Sequence, residues 1–430
     1  VSRVVVTKDG TIRLLAISLT LVPPLLLLFW LRWHLVNLPY WDEWDETPIF
    51  VAFHHGTLTL ADLWAPHSVH RVFTMRLTVL AIDVLQHGWN TVSESFVGVC
   101  TAILTLCGLV VLSYRTLPER TALFILPLIS LSIFSVSQYE NWTWGFQVAW
   151  FYVDAALVWA IVLLGDPKGR VISFIGAAVL CVFATASLAT GLLAWFACGA
   201  VIALTNMPRR WTRLVAWGAL ATLMIGFYFT NLPSQDFHPH HDVAYVTSAL
   251  AYAVNYLVIP VVGEIGMPGI AIAGWLFAPA LVLLCFVALR GPARTSAIPW
   301  IGLIIFAVGD AGLTGLGRSV EAVGSSRYIT VSQCAWIGVI ALVALLLPAL
   351  TPRMRATTAA AGLCVFVSFI AFNNFMYPNM VYTAWRAANA RAAILGGNAS
   401  DDVLKTVYPS PELQRTYLAQ LRSVGEGPRR

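Results

Sequence analysis

Between Tyr40 and Glu46 the chain reads Tyr-Trp-Asp-Glu-Trp-Asp-Glu, so the carboxylates of Asp42, Glu43, Asp45 and Glu46 alternate with the indoles of Trp41 and Trp44. Carboxylates crowded this closely repel one another, and crowding of like charge raises pKa. A carboxylate held near neutrality can take a proton from a hydroxyl nucleophile. An anonymous acidic run is more often a solvated loop, and Trp41 and Trp44 also fit an interfacial aromatic belt. Here the charges alternate with tryptophans straight after an apolar run. That favours function, with Asp42, Glu43 and Asp45 as the acid–base candidates and Trp41 and Trp44 beside a substrate.

Further polar islands carry complementary chemistry. His67-Ser68-Val69-His70-Arg71 offers imidazole and guanidinium at the expected start of a helix. Arg71 either snorkels to lipid headgroups or, with His70, holds a phosphate through charge-assisted hydrogen bonds; the residues leave the two readings even. From Ser137 to Gln147, the side chains of Gln138, Glu140, Asn141, Trp142 and Gln147 mix amides, a carboxylate and an indole. Aromatic faces stack on the C–H face of a sugar while amides bind its hydroxyls, and a plain aromatic girdle does not call for those amides. Asn141-Trp142-Thr143 matches a glycosylation acceptor pattern, taken here as coincidence.

Arg318, Ser319 and Glu321, then Ser325, Ser326, Arg327 and Tyr328, form another island. Arginine at the end of a span often only anchors it. Two arginines with hydroxyls beside them also suit a phosphate or diphosphate ester, the reading favoured here. His238, His240 and His241 with Asp236 and Asp242 have weak metal spacing and read as a solvated loop. Asp154 and Asp310 fall inside apolar runs, where ionisable groups are functional suspects; Asp310 is expected to pack against another helix.

The elements that must position these residues are membrane spans. With 58% hydrophobic and 11% charged residues over 430, the chain is too apolar for a soluble domain. Apolar runs long enough to cross about 30 Å of hydrocarbon recur throughout, and a lipid-facing chain satisfies its backbone as helix. We expect an all-α polytopic protein of about eleven transmembrane helices, at 14–36, 95–114, 121–137, 147–164, 171–187, 189–205, 214–231, 269–289, 298–316, 329–347 and 357–375. The charged N-terminus followed by an apolar run has no small-residue cleavage site and reads as a retained first span.

Residues 37–90 form the first extracytoplasmic loop, with juxtamembrane helices at Pro48–Phe53 and Val69–Gln86 that suit a membrane surface. Asp242 to Val262 reads as a re-entrant or surface element. Residues 1–375 then make the transmembrane domain and 376–430 a small extracytoplasmic tail, helical from Glu412 to Leu421 and too short for a core of its own.

This count gathers Arg3, Lys8, Arg13, Arg115, Arg120, Lys168, Arg170, Arg209, Arg210, Arg213, Arg290, Arg294, Arg353 and Arg355 on one side. The positive-inside rule makes that side cytoplasmic, as in a bacterial cytoplasmic (inner) membrane. The net charge of +5 follows from those loops and does not imply a nucleic-acid partner. All seven cysteines lie in apolar runs, so neither a disulfide framework nor a thiolate metal site is expected. The polar islands, which played no part in setting the parity, all fall on the opposite face.

That arrangement resembles the GT-C superfamily of membrane glycosyltransferases, in a group of bacterial members without an assigned substrate. Asp42-Glu43, repeated as Asp45-Glu46, stands where the family carries its acidic pair, and the other islands resemble the rest of its motifs. The resemblance implies a polyprenyl-phosphate-linked sugar as donor and a cell-envelope glycan or lipid as acceptor. It also implies inverting transfer with Asp42 or Asp45 as base, and Arg71, Arg318, Arg327 and Tyr328 on the leaving phosphate. Membrane lipids surround the protein, and no cofactor is required, although the carboxylates are able to recruit a divalent ion. The tail is smaller than the soluble domain many members carry, which leaves the acceptor open. The competing readings are a glycan ligase or polymerase using the same donor chemistry, and a transporter or lipid flippase.

Overall fold

The computed structural model describes residues 8–68, 70–166, 168–232, 242–263, 269–318 and 325–427. Helix α1 (Lys8–His34) leads into a 3-10 turn, Trp41–Glu46, and then α2 (Thr47–His54) and α3 (Leu60–Trp64). A hairpin pairs β1 (Pro66–His67) with β2 (His70–Arg71), His67 opposite His70, ahead of α4 (Phe73–Gln86). The expected helix at Val69–Gln86 therefore starts only at Phe73. His70 and Arg71, inside the expected helix, are instead extended and paired with His67 and Pro66.

The bundle follows as α5 (Thr91–Thr116), α6 (Glu119–Ile133), the short α7 (Tyr139–Thr143), α8 (Val148–Leu164), α9 (Val171–Ser187), α10 (Leu192–Leu204) and α11 (Arg210–Phe229). After it come α12 (Val243–Tyr256), α13 (Ile259–Val262), α14 (Ile270–Arg290), α15 (Arg294–Arg318), α16 (Ile329–Leu346) and α17 (Pro352–Gly396). The tail ends in α18 (Asp401–Lys405) and α19 (Pro411–Ser423). Polar side chains set several starts: Asn90 accepts from the Ser93 amide at 3.2 Å, and Asp242 from that of Tyr245 at 2.7 Å.

Among the described residues nine helices are long and apolar enough to cross a membrane, and α9 and α10 are shorter apolar helices. The protein is an all-α integral membrane protein. Its axis is α8: 83% of the most apolar window there is buried, against 11% for α11. The segment Asp242 to Val262 enters the bundle, where Tyr256 is fully buried. Gly315 permits this approach, since a Cβ there would meet the Ala249 carbonyl at 2.5 Å.

The two ends of the bundle differ in charge. At one, the basic loops interlock: Arg13 pairs with Glu119 at 3.0 Å, Arg115 donates to the Val162 carbonyl at 2.9 Å, Arg294 to that of Leu204 at 3.3 Å, and Arg213 to that of Gly169. At the other, a second apolar core is built from the first loop and the tail together. Trp44, Phe50, Met75 and Trp89 pack with Ala390, Ile394, Val407, Leu418 and Leu421. Burying one such side chain is worth about 1.5–3 kcal/mol, so this shared core fixes the loop that carries the acidic stretch. Helix α17 runs without a break past residue 375 and delivers the tail to this core as a rigid extension of the last span.

Candidate active site

The acidic stretch is sorted by the turn it adopts. A 3-10 helix repeats about every three residues, which puts Glu43 and Glu46 on the inner side, 2% and 3% exposed. Asp42 lies on the outer side with its side chain 37% exposed. Trp41 takes φ 47° and donates its amide to the Val407 carbonyl of the tail at 2.8 Å, so the tail holds an uncommon backbone conformation in place.

Each carboxylate has a different environment. Glu46 receives Arg76 Nε at 2.6 Å and His67 Nδ1 at 3.0 Å. Burial alone would raise its pKa, but the bonds from His67 and Arg76 together outweigh burial and hold it below the usual value. Burial also opposes charge on His67, yet its bonds to Asp42 and Glu46 win and lift it to about 9. His67 is therefore an imidazolium at neutral pH, with Nε2 3.7 Å from Asp42. Asp45 accepts from the Tyr408 hydroxyl and, at 3.4 Å, from that of Tyr417; burial and then the Asp45 carboxylate push both phenols up.

Ligand atoms of Asp42, Asp45 and His67 lie within 4.8 Å of one another. A divalent cation there would have to displace the proton that the two carboxylates hold on His67, because a protonated imidazole has no lone pair to offer.

The cationic side of the site faces this cluster. Arg327 lies 5.9 Å above the Trp144 ring and 5.6 Å from that of Tyr328. No carboxylate pairs with its guanidinium among the described residues. The Trp144 ring stands edge-on to Tyr40 at 5.4 Å. His70 sits between the two sides: burial, then His67, Arg318 and Arg327, hold it down to about 4, and only Asp42 opposes them. It is a neutral imidazole whose Nδ1 is sealed from solvent with no hydrogen-bond partner. Asp42, Asp45, His67, His70, Arg318 and Arg327 thus share one end of the molecule, although they come from the first loop, α15 and the start of α16.

Other expected site residues have structural employment. Arg71 is 2% exposed and donates to the carbonyls of Tyr228 (3.2 Å), Trp64 (2.6 Å) and Thr230, tying the hairpin to the end of α11. It is a clamp on main-chain oxygens rather than on a phosphate. Trp44 is fully buried in the second core, not beside a substrate, while Trp41 is 41% exposed. Tyr328 is 6% exposed and packs edge-on to Trp150 at 6.0 Å.

The Gln138–Gln147 island is likewise a brace, because its amides bond within the protein, with only Asn141 Oδ1 among them buried without a partner. Gln138, Asn141, Trp142 and Gln147 are each 3% exposed or less. Gln138 bonds the Ile133 carbonyl and Thr330, Asn141 the Arg327 carbonyl at 2.9 Å and Thr330, Trp142 the Ser135 carbonyl at 2.8 Å, and Gln147 the indole of Trp150 at 2.7 Å. Glu140 accepts from Ser325 (2.6 Å), Ser326 (2.7 Å) and the Arg327 amide (3.2 Å). These bonds lock α7 to the start of α16 and so set where Arg327 stands.

Ser319, Glu321, Asp236, His238, His240 and His241 lie outside the described residues. Asp310, 1% exposed, accepts from Thr190 at 2.8 Å and from Tyr256, and so packs between helices. Three neighbours of the site escaped the sequence reading: Arg76, Tyr408 and Arg386. The last donates to the Tyr40 hydroxyl from 4.8 Å over its ring, and burial pushes that phenol up to about 12. Only the pairing of lone arginines with distant carboxylates or phenols would have revealed them, and spacing does not encode that.

No protein-family model and no curated protein matches the chain. Among solved structures, the crystal structure of ArnT from Cupriavidus metallidurans bound to undecaprenyl phosphate is similar, with 17% identity, coverage of 97% of this chain and 77% of that one, and a TM-score of 0.46. A likeness at that level assigns neither activity nor ligand to this chain.

Proposed function

We propose that the protein is a membrane glycosyltransferase that moves a sugar from a polyprenyl-phosphate-linked donor to a hydroxyl of a cell-envelope glycan or lipid, on the face where the polar islands gather. One observation carries this reading: a solvent-reached carboxylate, Asp42, faces the same end of the bundle as a guanidinium, Arg327, that lacks a carboxylate partner among the described residues. A base and an anion-stabilising cation on one face meet the two needs of glycosyl transfer from a phosphate. The GT-C-like position of the acidic pair, just after the first span, agrees with it.

In the proposed step Asp42 takes the proton of the acceptor hydroxyl as its oxygen attacks the anomeric carbon. The anomeric C–O bond breaks, and its electron pair leaves on the lipid phosphate. Arg327, with Arg318 nearby, stabilises the departing charge, and the configuration inverts. Among the four carboxylates Asp42 is favoured as base. Glu46 is neutralised by Arg76 and His67, Glu43 is buried, and Asp45 is engaged by two phenols. The neutral His70, between the acidic and cationic sides, would meet a donor hydroxyl only once its sealed Nδ1 is uncovered. The basic loops at the opposite end support a cytoplasmic setting for that end and an extracytoplasmic one for the site.

The test is a transfer assay on the purified protein in proteoliposomes, supplied with a panel of radiolabelled polyprenyl-phosphate sugars and envelope extracts. The reading expects label to pass to an acceptor with release of polyprenyl phosphate. Transfer of whole glycans from diphosphate carriers would indicate a ligase instead, and movement of the lipid between leaflets without transfer would indicate a flippase.

A further inference from the structure

The carboxylate behind the acidic turn has a neighbour that the sequence gives no reason to notice. Glu94, in the first turn of α5, is fully buried. Its Oε1 receives the Trp89 indole at 2.6 Å, but its Oε2 is sealed from solvent with no partner. Glu43 points at the same spot: a Cβ built on Gly145 would lie 2.8 Å from Glu94 Oε2 and 2.9 Å from Glu43 Oε1. Glycine at 145 leaves open the small space that the two carboxyls flank. Glu43 is fastened by the amides of Tyr40 (2.6 Å) and Phe146 (2.8 Å), both of which favour an ionised acceptor.

Two buried carboxyls beside one small space, with no cation bonded to either among the described residues, repel strongly when both are ionised, so one of them keeps its proton. The unpartnered oxygen of Glu94 is where the retained proton belongs. We propose that Glu94 is a positioning residue: its protonated carboxyl donates to the Glu43 carboxylate, and the pair shares one proton that pins the acidic turn against α5 and Gly145. Asp42 and Trp44 flank Glu43 in sequence, so this one bond sets the height of Asp42 over the site. The role of the pair in catalysis rests on the function proposed above; its existence does not.

The groups facing the pair are Asp42, Glu46 and Tyr40 from the turn and Tyr152 from α8, none of them a cation. Burial and then the charge of Glu94 drive Glu43 well above the ordinary 4.5. A carboxyl with a raised folded-state pKa stabilises the fold most below its unfolded value and loses that contribution as pH rises through the folded one. The stability conferred by the pair should therefore fall from about pH 4.5 upward, through the raised value.

The experiment compares full-length wild type, Glu94→Gln and Glu94→Leu in nanodiscs, by thermal unfolding from pH 4.5 to 10 and by transfer activity. Gln keeps a donor facing Glu43 and removes the second ionisation. Its melting temperature should decline less with rising pH than that of wild type, keeping only the part due to His67, while its turnover stays close to that of wild type. Leu removes the donor and should lower both melting temperature and turnover at every pH. Identical pH profiles for wild type and Glu94→Gln would overturn the proposal. If no variant, wild type included, transfers sugar, the functional reading fails, while the melting profiles still decide whether the proton is shared.

Discussion

Two polar, aromatic-rich stretches of this apolar chain have opposite fates. Tyr40–Glu46 and Gln138–Gln147 each mix tryptophans with hydrogen-bonding side chains and follow an apolar run. In the first, a 3-10 turn divides the carboxylates into buried anchors, Glu43 and Glu46, and an outward Asp42 that solvent reaches. In the second, almost every amide is buried and bonded within the protein, mostly to the Ser325–Thr330 segment. Polarity in an apolar chain thus marks a place where hydrogen bonds must be supplied. Whether protein or substrate supplies them depends on partners far away in sequence. On this view the first stretch presents chemistry, and the second holds Arg327 opposite it.

Breaking the first stretch should abolish turnover without unfolding the protein. Asp42→Asn is isosteric and partly exposed, so its melting temperature should stay near wild type while transfer falls by about 10²–10⁴-fold, the usual worth of a general base. Full turnover by that variant would move the base elsewhere.

The arginines sharpen the contrast. Arg327→Ala should lower turnover by about 10²–10³-fold, with little change in stability. Arg71→Ala leaves three main-chain carbonyls without their donor, and denaturant unfolding should show a loss of about 1–3 kcal/mol. Donor affinity of the folded Arg71 variant, measured with labelled polyprenyl phosphate, should remain unchanged. A reversal of the two outcomes would exchange the roles given to these residues.

A milder loss is expected at the brace. Glu140→Ala strips an acceptor from Ser325, Ser326 and the Arg327 amide, and should cost about 1–3 kcal/mol by chemical denaturation. Because Arg327 is then less firmly held, KM for the donor should rise more than kcat falls. Smallest is the effect of pH on His67. Its folded pKa of about 9 lies above the usual 6.5, so the stability it confers is complete below pH 6.5 and lost as pH rises through 9. Thermal melts of wild type should decline across that window, and those of His67→Gln should decline less.

The spans were legible from sequence because crossing a bilayer imposes a minimum apolar length that few other structures need. The basic loops then marked one end of each span, whereas the cap at Asn90, which starts α5 at Thr91 rather than at the expected residue 95, was missed. The acidic stretch was also legible as a cluster of crowded carboxylates, and its chemistry rests on the function proposed above. What sequence did not show was employment: Arg71 and Arg327 look alike until the carbonyls around the first are seen. Residue 375 looked like the end of a span because hydropathy falls there, yet a helix needs no apolar residues once it leaves the membrane. Tertiary packing against the first loop carries α17 on to Gly396. Glu94 was invisible for the same reason, since a carboxylate at the start of an apolar helix ordinarily reads as a favourable N-terminal charge.

The central claim is that one lipid phosphate sits between the acidic turn and the start of α16. Cryo-electron microscopy of the protein in nanodiscs containing a polyprenyl monophosphate tests it directly. The account predicts phosphate density in contact with the Arg327 guanidinium and facing Asp42, with the chain descending along the bundle. Phosphate density at the opposite, basic end, or a lipid bound only where Asp42 and Arg327 are both out of reach, would contradict it.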